Sequence, residues 1–230
     1  MSAIPDPILH PVDIVYGVYR LQGPAFQGDD RWWIQRLVES ETGWMVHNDV
    51  YLDHPTRRYV TIDVELSDEW GWLYLNLRDD RGLLLAAEVE GPELVVERAG
   101  SVERLPFDDR TELAFLSPFM TSLTLRRHPL GVGERYTCRT IVFDPHSFAP
   151  HLVDLRYERG PDTTLTLEGE TLDVQQVRCQ DLTTGQHTGL LVRPDGLVVQ
   201  AGDEARLTFD ETASRGRGRL PPLGEGGREA

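Results

Sequence analysis

Apolar and polar residues alternate along most of this chain with a period of two, the spacing of strands that bury one face. The clearest run sets Val60, Ile62, Val64 and Leu66 against Thr61, Asp63 and Glu65. After a turn at Ser67-Asp68-Glu69, the pattern predicts a strand with Trp70, Trp72 and Tyr74 on one face and Leu73, Leu75 and Leu77 on the other. Upstream, Val12 to Val18, Trp32 to Glu39 and Trp44 to Tyr51 read as strands, separated by Gly, Pro and Asp punctuation. Downstream come Leu83 to Val89 and Leu94 to Arg98, then Leu123 to Arg127, Tyr136 to Phe143, Leu152 to Tyr157, Thr163 to Leu167 and Leu172 to Gln180. A hairpin from Leu190 to Gln200 pivots on Asp195-Gly196, and Arg206 to Phe209 closes the series. The best helix candidate is Thr111 to Thr121, with Pro118 expected to break it.

A dozen strands at about ten-residue spacing, with at most one or two short helices, predict an all-β single domain. Residues 12–209 form that domain, between an unstructured lead-in at 1–11 and a tail at 210–230 rich in Gly, Arg, Pro and Glu. The chain also echoes itself. Leu77, Arg78, Arg81, Gly82, Glu90, Gly91, Leu94 and Val96 recur 78 positions later as Leu155, Arg156, Arg159, Gly160, Glu168, Gly169, Leu172 and Val174. These eight identities suggest two copies of one β unit, at about 44–105 and 123–209, curled together as pseudo-twofold halves.

Composition narrows the function. A net charge of −15 argues against nucleic acid, which needs a cationic face. All 23 basic residues are arginine, the side chain suited to forked pairing with oxyanions. No apolar run is long enough for a transmembrane helix, and the N-terminal stretch has no secretory pattern, so a cytoplasmic location is expected. Cys138 and Cys179 lack metal spacing and are expected to be reduced and buried. No cofactor or metal is expected.

The seven histidines form no HxH or HExxH arrangement. His47, Asn48, Asp49, Asp53 and His54 are the densest polar group, and a general acid/base pair is conceivable there. A solvated strand end explains them better, as a charged turn explains Asp63, Asp68 and Glu69, so no enzyme activity is expected. The aromatics say more. Trp32, Trp33, Trp44, Tyr51, Trp70, Trp72 and Tyr74 all lie in the first half of the chain, and the second half has no tryptophan. They either fill a wide core or line a pocket for a lipidic or sugar-bearing ligand.

Three stretches resemble a known family. Tyr59 to Trp72, then Leu116-Ser117-Pro118-Phe119 leading into Leu123-Thr124-Leu125-Arg126-Arg127-His128-Pro129-Leu130-Gly131-Val132-Gly133, and the late strand-turn-strand Leu190 to Gln200 around Asp195-Gly196 are similar, in that order, to a glycolipid-binding family. The resemblance covers roughly residues 30–202. It implies the half-barrel of the bacterial lipoprotein carriers, a curved antiparallel sheet with a greasy concave face, and a ligand class but no reaction. Met120-Thr121 departs from the family's Asn-bearing turn, and no lid helices are evident, which leaves the concavity either shallow or plugged by the chain's own rings. The candidate ligand-binding set is therefore Trp33, Trp44, Trp70, Trp72, Tyr74, Phe119, Leu125 and Arg126. Because Arg126 and Arg127 fall on opposite faces of a strand, only one of them can meet an anionic head group. The alternative is a protein-interaction module that pairs its sheet edges, for example as a homodimer.

Overall fold

The computed structural model describes residues 14–23, 27–37, 43–54, 57–167 and 169–208; the lead-in, the tail and Phe209 lie outside them. The first half of the chain is a meander of eight strands: β1 (Ile14–Gln22), β2 (Gln27–Leu37), β3 (Gly43–His54), β4 (Arg58–Ser67), β5 (Trp72–Asp79), β6 (Gly82–Glu90), β7 (Glu93–Arg98) and β8 (Ser101–Pro106). Then come β9 (Thr111–Ala114) and the helix α1 (Pro118–Arg127). A second meander follows: β10 (Arg135–Phe143), β11 (Pro150–Leu167), β12 (Glu170–Asp181), β13 (His187–Val192), β14 (Val198–Ala201) and β15 (Ala205–Thr208).

All fifteen strands belong to one sheet, ordered β8 to β1 and then β15 to β9. The pairing is antiparallel except for β9 on β10. The two meanders meet where β1 pairs β15, Val18 opposite Thr208 and Leu21 opposite Ala205. This is the curved all-β sheet that the alternation predicted. The curl has a covalent cause. Strands β8 and β9 are the two edges of the sheet, yet only residues 107–110 separate them in sequence. Laid flat at about 4.8 Å per strand, the edges would stand about 67 Å apart. The connection reaches at most about 18 Å, so the sheet wraps until its edges approach. Backbone bonds hold the linker to both sides, Phe107 N–H to Pro92 O at 2.9 Å and Arg139 N–H to Arg110 O at 3.0 Å.

Wrapping gives the sheet an inside. Val60, Ile62, Val64 and Leu66 are fully buried there, as the alternation requires, and Val46, Val50, Leu75, Leu77, Leu85 and Val96 join them. Each such burial contributes roughly 1.5–3 kcal/mol. A smaller apolar cluster under the second meander gathers Leu125, Cys138, Tyr157, Val177, Leu190 and Val198. Both cysteines are free, and burial pushes their thiols up to about 12 and 11. No described helix is long and apolar enough to cross a membrane.

Three expectations need correction. The helix is not Thr111–Thr121: that stretch begins as β9, and Leu123–Arg127, read as a strand, is the second half of α1. Pro118 does not break the helix but starts it, because a proline in the first turn removes a backbone donor that has no helical partner anyway. Ser117 caps the same turn, its Oγ accepting from Phe119 N–H at 3.1 Å. Eight of the ten residues of α1 are buried, on every side, so no amphipathic period marked it in the sequence. Thirdly, a bulge between β4 and β5 shifts the faces. Trp72 is buried with Leu75 and Leu77, whereas Leu73 is exposed and Tyr74 looks outward.

The 78-residue echo meets two local outcomes. Gly91 (φ 61°) and Gly169 (φ 85°) both sit in hairpin turns with left-handed backbone. Upstream, Arg81-Gly82 lies at the β5–β6 turn, while Arg159-Gly160 runs on inside β11, which keeps its direction through a bulge.

One glycine sets the distance between sheet and helix. Gly17 faces Trp32 across the β1–β2 pair, and a Cβ there would lie 2.5 Å from the indole Cζ2. Trp32 uses that space to stack on Phe119 of α1 at 4.2 Å between centroids. Gly17→Ala should therefore lower the urea-unfolding free energy by about 1–3 kcal/mol. An unchanged midpoint would mean that Trp32 does not depend on that gap.

Candidate functional site

Helix α1 lies inside the wrapped sheet, and polar groups fasten its two ends to the wall. At the N-terminal end, Ser117 Oγ donates to Asp30 Oδ2 and Asn48 Nδ2 donates to Asp30 Oδ1 at 3.0 Å. Asp30 is fully buried with no cation beside it; burial pushes its carboxyl up to about 6, against the pull of those two bonds. At the other end the buried Glu112 of β9 accepts from Trp72 Nε1 at 2.7 Å, Thr124 Oγ1 at 3.2 Å and Arg127 Nη1 at 3.4 Å, and lies 3.1 Å from His128 Nε2. Strand β5 is thereby tied to the opposite sheet edge through α1.

Between these fastenings the wall carries tryptophans. Trp44 and Trp70 are buried and stacked, with centroids 5.0 Å apart and planes at 17°. Trp70 adopts φ 66°, a left-handed conformation that costs a bulky side chain roughly 1–2 kcal/mol. The β4–β5 turn holds it there through Trp70 N–H to Ser67 O at 3.0 Å. The guanidinium of Arg126 lies over the Trp70 ring, 4.2 Å from its centroid. Arg126 itself is only 3% exposed. Its Nη1 donates to Asp195 O at 2.7 Å, and Gly196 packs against its backbone so closely that a Cβ would come within 3.1 Å of Arg126 Cα. Burial lowers the Arg126 pKa to about 10, with Asp195 opposing, so it stays charged at neutral pH. The Arg-Arg and Asp-Gly motifs, 69 residues apart, thus meet at one side chain.

Several buried polar atoms of this wall have no hydrogen-bond partner: Nε1 of Trp32, Trp44 and Trp70, Oδ1 of Asn48, and Nε and Nη2 of Arg126. Native interiors seldom leave such atoms unmet, and each unsatisfied group costs about 1–3 kcal/mol.

The structure brings together Trp44, Trp70 and Arg126 from the predicted set. Phe119 lies further along α1 against Trp32, and Leu125 turns into the second cluster. Trp72 is engaged with Glu112. Trp33 and Tyr74 are elsewhere, on the outer face: Trp33 stacks on His47 at 5.0 Å, and Tyr74 donates to Asn76 Oδ1 at 2.7 Å. The expectation that Arg126 and Arg127 split between strand faces is replaced by helical geometry, with Arg127 directed to Glu112 and Asp109 O. Sequence reasoning missed Asp30 and Glu112; Trp32 stood among the aromatics that fill the core or line a pocket but was left out of the candidate set. An acidic residue alternating in phase with buried positions, as Asp30 does with Trp32 and Ile34, was the available signal.

The polar group near His47 divides. Asn48 points inward, while His47 Nδ1 lies 2.7 Å from Asp63 Oδ1, its cross-strand partner, and Nε2 lies 3.3 Å from Asp49. The bond to Asp63 raises the His47 pKa despite partial burial. The His54 side chain lies outside the described residues, and Asp53 lines an open cleft of about 600 Å³ with Arg58 and His146. Among the described residues, no group of three or more His, Cys, Asp or Glu side chains is placed to hold a metal ion.

No family model and no curated protein matches the chain. Solved structures similar to it include the following. One is a DUF1089 family protein from Pseudomonas aeruginosa, 15% identical over 89% of this chain and 97% of that one, with a TM-score of 0.47. Another is a beta-barrel-like protein of domain of unknown function DUF1849 from Brucella abortus, 13% identical over 85% and 94%, with a TM-score of 0.46. The third is the hypothetical lipoprotein YmcC from Escherichia coli K12, 13% identical over 85% and 84%, with a TM-score of 0.30. None of these names states a ligand, and the curved sheet of this chain stands on its own strand order.

The buried Asp30 makes stability depend on pH. Its folded pKa is raised, so its contribution is greatest below the unfolded value near 3.9 and is lost as pH rises through about 6. Asp30→Asn removes that loss. Between pH 5 and 7.5 the variant should gain about 1–2 kcal/mol on the wild type in urea unfolding. The His47 titration acts in both proteins and cancels in the comparison; a pH-independent difference would show that Asp30 does not titrate in this range.

Proposed function

We propose that the protein binds a lipidic molecule, glycolipid-like in having an apolar body and oxygen acceptors, between α1 and the inner wall of β2–β4, without transforming it chemically. The observation that carries this reading is the set of buried indole N–H groups of Trp32, Trp44 and Trp70, donors without acceptors on a mostly apolar wall that also holds the unmet Asn48 Oδ1. A molecule with acyl chains and ester, glycosidic or hydroxyl oxygens satisfies both parts of that surface. Water suits only the donors. The cover over the wall is a single helix of ten residues, fastened by side-chain hydrogen bonds at its ends and by ring contacts in between. Trp32 and Phe119 fill the space beneath it, so a ligand enters by displacing α1 from the wall.

Native mass spectrometry of the purified protein, with lipid extraction of the same sample, tests the reading. A co-purifying mass in the lipid range is the expected result. A ligand-free dimer that also takes up no alkyl glycoside would support the edge-pairing alternative instead. Trp44→Phe offers a sharper check, since it removes the N–H and keeps a ring. It should weaken binding of dodecyl glucoside about 3–10-fold while leaving the melting temperature unchanged or higher. Equal affinity with a lower melting temperature would make the indole a packing element only.

A further inference from the structure

We infer that the free edge of the Arg126 guanidinium is the seat for an oxyanion, the carboxylate or phosphate head of the molecule held under α1; this rests on the binding reading above. The two nitrogens of Arg126 that lack partners are Nε and Nη2. Those two N–H groups run parallel along one edge of the planar guanidinium, the edge that grips two oxygens of a carboxylate or phosphate side-on. The third nitrogen is already spent on a neutral acceptor, Asp195 O. The protein uses the same edge two residues from that carbonyl: Arg193 meets the Asp195 carboxylate with Nε at 3.2 Å from Oδ1 and with Nη2 on Oδ2. Arg193 therefore occupies the carboxylate that would otherwise answer Arg126. The neighbouring Arg127 is different, since Glu112 faces it.

A buried cation with no carboxylate on its guanidinium is a costly arrangement in a protein interior. Its face over Trp70 and one carbonyl bond offset part of that cost. They do nothing for the open edge. Trp70 beneath the guanidinium and Trp44 stacked on Trp70 also carry indole N–H groups without acceptors, and donors suit an acceptor that bears negative charge. Among the described residues Asp195 is the one ionisable group with a resolved effect on Arg126, and its carboxylate is held by Arg193, so Arg126, Arg193 and Asp195 together carry a net positive charge.

The test compares dodecyl phosphate, 1-dodecanol and inorganic phosphate, by calorimetry, on the full chain and on Arg126→Gln. Dodecyl phosphate should bind the wild type at least tenfold tighter than 1-dodecanol, and Arg126→Gln should reduce that preference below threefold. Equal binding of the two amphiphiles by the wild type overturns the anion seat and leaves the lipid reading intact. Binding of neither amphiphile, with inorganic phosphate bound and lost in Arg126→Gln, keeps the seat and overturns the lipid reading. Binding of none of the three overturns both. Should Arg126→Gln fail to fold, the unaltered protein still decides: the Arg126 Nε–H resonance should move downfield with dodecyl phosphate and stay in place with 1-dodecanol. Movement with both, or with neither, overturns the seat.

Discussion

The fold depends on a mismatch of lengths. A fifteen-stranded sheet is several times wider than the reach of the four residues that join its first-meander edge to β9, so the sheet has to wrap. Everything inside follows from that. The inner face of β4 has no second sheet to pack on and meets other strands of its own sheet across the enclosed space. Helix α1, which comes directly after the closing linker and β9, is delivered into that space rather than onto the outside. The Trp72–Glu112 bond then joins the β5 side to the β9 side across the closure.

The enclosed polar groups divide by how well they are met. Glu112 has four partners and acts as a fixed node at one end of α1. Asp30 has two hydrogen bonds and no cation, an arrangement stable with a proton and less so without one. Arg126 has one carbonyl and a ring. A sequence selected for stability alone could place leucine or methionine there at little cost in shape. A left-handed Trp70, an arginine with no carboxylate on its guanidinium and unmet indoles gather in one place, so several local rules are broken together there.

The sheet was legible because burial on one face of a strand writes itself as alternation: Val60 to Leu66 could hardly be read otherwise. The hairpin at Asp195-Gly196 was equally open, and Gly196 does adopt a positive φ of 90°. The helix was not legible. Buried on all sides, it shows no stripe, and its Leu-Thr-Leu segment mimics a strand; its real marker was the Ser117-Pro118 start. The bulge at Leu73, between Trp72 and Tyr74, defeated the facing of the aromatics, because a single extra residue reverses every side chain beyond it. The meeting of Arg126 with Asp195, like that of His47 with Asp63, is set by tertiary register, which a lone sequence does not display.

The seam between β1 and β15 has a temporal meaning. Thr208 Oγ1 bonds Val18 O across 190 residues of chain, so β1, the earliest of the described strands to be synthesised, waits for β15 before its free side is covered. Until then β1 presents an open row of amides and carbonyls, and contacts of such long sequence separation form slowly. The pairing that joins the two meanders is therefore made late, after the other described strands have been synthesised.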